Sequence, residues 1–87
     1  MNYIMLILYS WDLDYIAKPF ATEKEAIQEM NRYLNKEIEI IRKENEYEPI
    51  VKYNDDTEVI LLYTDDEYQS DADKAVYKVI ETSHYVN

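Results

Sequence analysis

One stretch of this chain, Thr22 to Asn45, has helical periodicity, and the apolar segments on either side of it are short and strand-like. Ala26, Ile27, Met30, Tyr33, Leu34, Ile38 and Ile41 recur at three- and four-residue spacing, so a helix through them carries a single apolar stripe. Thr22 and Glu25 precede that run in the capping-box pattern, in which each side chain satisfies a free backbone donor of the other residue. Glu29/Arg32 and Glu39/Lys43 are spaced to pair on the wet side, and the helix is expected to end near Asn45, before Pro49. One such helix must bury its stripe against a sheet, which makes the expected fold α+β.

The remaining apolar segments supply that sheet. Asn2–Tyr9 has Tyr3, Met5, Ile7 and Tyr9 on one side and Ile4, Leu6 and Leu8 on the other, the pattern of a central strand covered on both faces. Ser10–Asp14 is expected to turn and Tyr15–Phe20 to return as a hairpin partner. Ile50–Tyr53 and Glu58–Tyr63 flank Asn54-Asp55-Asp56-Thr57, whose Asn and Asp side chains suit a tight turn. Lys74–Glu81 alternates, with Val76 and Ile80 opposite Tyr77 and Val79. The expected order is β-β-α-β-β-β in one domain of residues 1–87, an antiparallel sheet of four to five strands with one long helix on one face. A single helix leaves the other face short of cover, and a surface built from Tyr3, Met5, Ile7 and their neighbours is expected to meet a second copy or a partner.

Composition excludes several classes of function. The 87 residues contain no cysteine, hence no disulfide, thiolate nucleophile or cysteine-based metal site, and no glycine, hence no glycine-rich phosphate loop. Nineteen acids against nine bases give a net charge of −10, and residues 47–87 hold ten of those acids and three of the bases. This field repels nucleic acid and anionic lipid and attracts a basic partner. The apolar run Met1–Tyr9 has no basic flank or small-residue cleavage site and is too short to cross a bilayer, so a cytoplasmic protein is expected.

No catalytic constellation emerges. Asp12-Leu13-Asp14 is better read as turn chemistry than as the paired aspartates of a phosphotransferase, which need a much larger α/β domain. Asp65, Asp66, Glu67, Asp71 and Asp73 lack the glycine and the twelfth-position Glu of an EF-hand loop, so no metal site is expected. Ser83 and His84 are adjacent on a terminal segment, which points their side chains apart. No cofactor is implied. Ten tyrosines, several beside acids, instead place rigid aromatic area around a negative surface.

The segment Tyr53–Asp73, with its echo of Tyr53-Asn54-Asp55-Asp56 in Tyr63-Thr64-Asp65-Asp66, resembles in kind the small acidic DNA-mimic inhibitors of phages and mobile elements, including anti-CRISPR and anti-restriction proteins. The resemblance implies a non-enzymatic inhibitor that competes with nucleic acid for a basic nuclease, CRISPR effector or other DNA-binding protein. Its contact residues would be Asp55, Asp56, Glu58, Tyr63, Asp65, Asp66, Glu67, Tyr68, Asp71 and Asp73. A strand over Glu58–Tyr63 would set the two Asp pairs roughly 25–30 Å apart. The alternative is a small homodimeric or complex-subunit module that uses an apolar sheet face.

Overall fold

The computed structural model describes residues 2–82, so Ser83 and His84 lie outside the described residues. Strands β1 (Tyr3–Tyr9) and β2 (Asp12–Phe20) form a hairpin, α1 (Glu23–Glu44) follows, and β3 (Ile50–Asp55), β4 (Glu58–Leu62) and β5 (Lys74–Glu81) complete the chain. All pairings are antiparallel and the strand order is β2-β1-β5-β4-β3. The chain is therefore α+β in the expected element order. β1 and β5 pair from Tyr3↔Glu81 to Tyr9↔Ala75 and join the two hairpins into one sheet.

The helix begins as its sequence dictates. Thr22 is extended at the N-cap and its hydroxyl oxygen accepts from the Glu25 backbone N–H at 3.2 Å. The other half of the capping box differs, because the Glu25 carboxylate accepts the Thr22 hydroxyl proton at 2.9 Å instead of reaching a backbone donor. Asn45 closes the helix by donating its N–H to the Ile41 carbonyl at 2.9 Å. Glu46 then takes a positive φ of 57°, a conformation in which a Cβ is unfavourable and glycine is the usual choice. A glycine-free chain leaves Glu46 to carry it.

Ala26, Met30, Leu34, Ile38 and Ile41 are buried on the sheet face made by Met5, Ile7, Val59, Leu61, Ala75 and Tyr77. Here the structure corrects the expected interaction surface: Met5 and Ile7 lie under the helix, and Tyr3 packs against that core. The face without a helix belongs to Ile4, Leu6 and Leu8, because a strand's side chains alternate and one helix can cover only one parity. β1 is accordingly central but covered on one face alone. The first turn is also tighter than expected. Tyr9 pairs with Asp12 after a bulge at Leu8/Tyr9, so Asp12–Asp14 belong to β2 and not to the turn.

Electrostatics fasten the helix to the edge strand. Lys18, on the helix side of β2, donates to Glu29 at 2.8 Å, and Arg32 forms the expected pair with the same carboxylate, which is 18% exposed. Tyr33 lies beneath both cations, 5.4 Å from Lys18 Nζ and 4.8 Å from the Arg32 guanidinium carbon to the ring centre. Glu39 and Lys43 do not come within ion-pair distance. The hydrogen bonds from Arg32 and Lys18 hold the Glu29 carboxyl down at about 2, against an ordinary 4.5. A folded-state value below the ordinary one means that the stabilisation is complete above the ordinary value and is lost as pH falls toward the folded one. Thermal melts of the parent chain and Glu29→Gln should therefore differ most at neutral pH, and the gap should close between about 4.5 and 2. A gap independent of pH would contradict the assigned pairing.

Candidate partner-binding site

The acidic residues singled out in the sequence divide between the two ends of the sheet. Asp55 and Asp56 form the β3–β4 turn, where Asp55 Oδ1 accepts from the Thr57 backbone N–H at 2.7 Å and the Thr57 hydroxyl at 2.6 Å. Those bonds, the hydroxyl's first, hold the Asp55 carboxyl below its ordinary value. Glu58 accepts from Asn54 Nδ2 at 2.8 Å and stands 3.5 Å from the Lys78 ammonium. This end is a well-bonded turn in which Glu58 already has a cation.

The β4–β5 connection builds the opposite end. Thr64 is buried, and its hydroxyl accepts from the Asp66 N–H at 3.0 Å while donating to Gln69 Oε1 at 2.7 Å. Asp66 Oδ1 accepts from the Tyr68 N–H at 3.0 Å, and the Tyr63 N–H bonds the Asp73 carbonyl at 2.9 Å. A glycine-free loop thus takes its shape from side-chain caps on its own backbone. Ser10 stitches it to the first hairpin: its N–H donates to the Lys74 carbonyl, its hydroxyl oxygen accepts from the Lys74 N–H at 2.9 Å, and the hydroxyl donates to Asp73 Oδ1 at 3.4 Å.

That stitch adds residues which the sequence did not single out. Asp12 and Asp14 join Asp65, Asp66, Glu67, Asp71 and Asp73 at one end of the sheet, and none of these seven forms a salt bridge among the described residues. Trp11 stands among them, 51% exposed, with its ring centre 5.1 Å from Tyr9 and 4.8 Å edge-on from Tyr63. Trp11, Tyr63 and Asp73 line a shallow cavity of about 230 Å³. Tyr68 projects from the loop, 87% exposed. The chain's lone tryptophan next to a tight turn was the available signal, and it became meaningful once β1 was paired with β5.

No protein family, curated protein or solved structure matches this chain. The site therefore stands on its own geometry. An aromatic shelf edged by unpaired carboxylates attracts a cation twice, through the ring quadrupole and through charge, and guanidinium groups suit both. Among the described residues no three Asp, Glu or His side chains are placed to hold a metal ion. No helix among them is long and apolar enough to cross a membrane. Arg42, at the helix C-terminus, is already engaged, with its Nε 2.7 Å from Glu48 Oε2.

Tyr63 supports the shelf from below. Its hydroxyl is buried without a hydrogen bond of normal length among the described residues. Burial first, then the neighbouring Tyr77 and Glu37, pushes its phenol far above the ordinary value. A buried hydroxyl without a bond of normal length contributes desolvation cost with little to offset it. Tyr63→Phe should consequently leave the unfolding free energy in urea within about 0.5 kcal/mol of the parent or raise it. A loss above about 1 kcal/mol would show that the hydroxyl is bonded after all.

Proposed function

We propose that this protein is a non-enzymatic binding protein that receives a basic, nucleic-acid-binding partner at the end of the sheet carrying Trp11, Tyr63, Tyr68 and the Asp65–Asp73 loop, in competition with nucleic acid. The observation that carries the reading is the gathering of seven carboxylates without ion-pair partners among the described residues around a half-exposed tryptophan. Carboxylates used only for solubility would be interspersed with cations, as the acids of α1 alternate along the chain with Lys24, Arg32, Lys36, Arg42 and Lys43.

The chemistry is that of a phosphate substitute. A groove that binds nucleic acid presents arginines and lysines to phosphates spaced several ångströms apart, and fixed carboxylates can occupy the same cations. Trp11 and Tyr68 supply rigid apolar area where a bare charge cluster would bind weakly, as aromatic anchors do in protein interfaces. Asp55 and Asp56 lie about the length of β4 away, so they belong to the same contact only with a partner long enough to span the sheet. The partner class is thus a basic nuclease, guide-RNA effector or other DNA-binding protein, and cytoplasm is the compartment in which it would be met.

Capture of nucleic-acid-binding proteins from bacterial lysate on the tagged chain tests the proposal, with Asp65→Asn/Asp66→Asn/Asp73→Asn as the matched variant. The expected result is a retained basic protein that is released by duplex DNA and by raised salt, with retention falling at least about tenfold for the triple variant. Retention that ignores DNA, salt and the triple substitution would contradict the proposal.

A further inference from the structure

The sheet face opposite the helix presents an aliphatic surface across all five strands. In β1 it displays Ile4, Leu6 and Leu8, and the register continues it through Val76 and Ile80 of β5, Ile60 and Leu62 of β4 and Ile50 of β3. On the other side it runs to Tyr15, Ala17 and Pro19 of β2, which pair with Leu8, Leu6 and Ile4. Leu8, near the acidic end of β1 on this surface, is 41% exposed. Five strands about 4.8 Å apart and about 20 Å long make roughly 500 Å² in projection, before side-chain relief is added. That is the area of the whole face, its Lys52, Glu58, Lys74 and Lys78 positions included, and side-chain relief brings it toward the ~800 Å² that each partner of a standard interface buries.

We infer that this face is the interface of a homodimer in which two sheets pack face to face. Charge and area narrow the choice of occupant. The chain is strongly acidic, yet its charged side chains on this face are Lys52, Lys74, Lys78 and Glu58, so two copies meeting here bring no acidic clusters together. A basic partner is drawn instead to the acidic end. Lys78, on central strand β5, already has Glu58 as its partner one strand away, so the interface need not bury a lone charge. Lys52 on an edge strand and Lys74 at a strand end can lay their stems over the aliphatic surface and keep their ammonium groups at its rim.

Symmetry fixes the arrangement further. Face-to-face packing of identical sheets places the two-fold axis in the plane between them. An axis along the strands would set the two seven-carboxylate ends side by side, whereas an axis across the strands sends them to opposite poles. Like-charge repulsion favours the second, and it leaves both acidic ends uncovered. The dimer does not depend on what binds at those ends.

Sedimentation equilibrium of the full chain from about 1 to 100 μM, the range bracketing an ordinary dimer constant, decides the matter. The parent chain and Asp66→Asn should sediment at twice the 10.5 kDa chain mass, and Leu8→Glu at the mass of one chain with dimerisation weakened roughly 30-fold or more. Far-UV circular dichroism and a cooperative melt report whether Leu8→Glu is folded. Should it fail to fold, Tyr15→Glu, at a 63% exposed position on the same face, takes its place with the same expected outcome. A parent chain that is monomeric throughout, a species larger than two copies, or a dimer that the folded face variant leaves intact would each overturn the inference.

Discussion

Everything in this molecule depends on one packing contact, the apolar stripe of α1 against a single face of the sheet. Ala26, Met30, Leu34, Ile38 and Ile41 meet Met5, Ile7, Val59, Leu61, Ala75 and Tyr77, and these eleven side chains are the buried hydrophobic core among the described residues. At roughly 1.5–3 kcal/mol for each large side chain removed from water, that contact is the main term opposing the conformational entropy of an 87-residue chain. Its geometry also sorts the remaining residues. Side chains of one strand parity go under the helix, those of the other parity face away from it, and the loops that carry acids are left at the two ends.

Those consequences were legible in the sequence to different degrees, for reasons that concern particular residues. The helix was plain because its stripe has the right period and Thr22 and Glu25 mark its start. β5 was plain because Val76, Tyr77, Val79 and Ile80 alternate. Which face of β1 the helix covers was not legible, since Tyr3, Met5 and Ile7 are as apolar as Ile4, Leu6 and Leu8. The pairing with β5 puts Met5 and Ile7 on one face with Val79 and Tyr77, and the burial of Met5, Ile7 and Tyr77 against α1 settles the parity. Such pairing joins residues some seventy positions apart, and local pattern says nothing about it. The early start of β2 escaped for a related reason: a bulge at Leu8/Tyr9 lets Asp12 pair at once, where acidic residues suggested a longer turn.

The candidate site was half legible. Composition marked Asp65–Asp73 and strand length set Asp55 and Asp56 far from it, as the turn at the other end of β4 confirms. What the sequence concealed was the company that loop keeps. Ser10 holds the first hairpin against it through bonds to Lys74 and Asp73, which brings Trp11, Asp12 and Asp14 to the same end. A shelf of Tyr9, Trp11 and Tyr63 therefore lies where composition alone suggested only charge. The fold keeps two surfaces apart in this way: an acidic, aromatic end suited to cations, and an aliphatic sheet face suited to another sheet.

That separation is tested most directly by an NMR titration of the isotope-labelled chain with an oligo-arginine peptide, following backbone amides, the Trp11 indole N–H and the Leu and Ile methyl groups together. Saturable shifts should appear at the Trp11 indole and at residues 10–14 and 63–74, with the methyl groups of Leu6, Leu8 and Ile60 unmoved. Shifts centred on the Asp55–Glu58 turn or on the aliphatic face, or an indole that does not respond, would contradict the division of the molecule into those two surfaces.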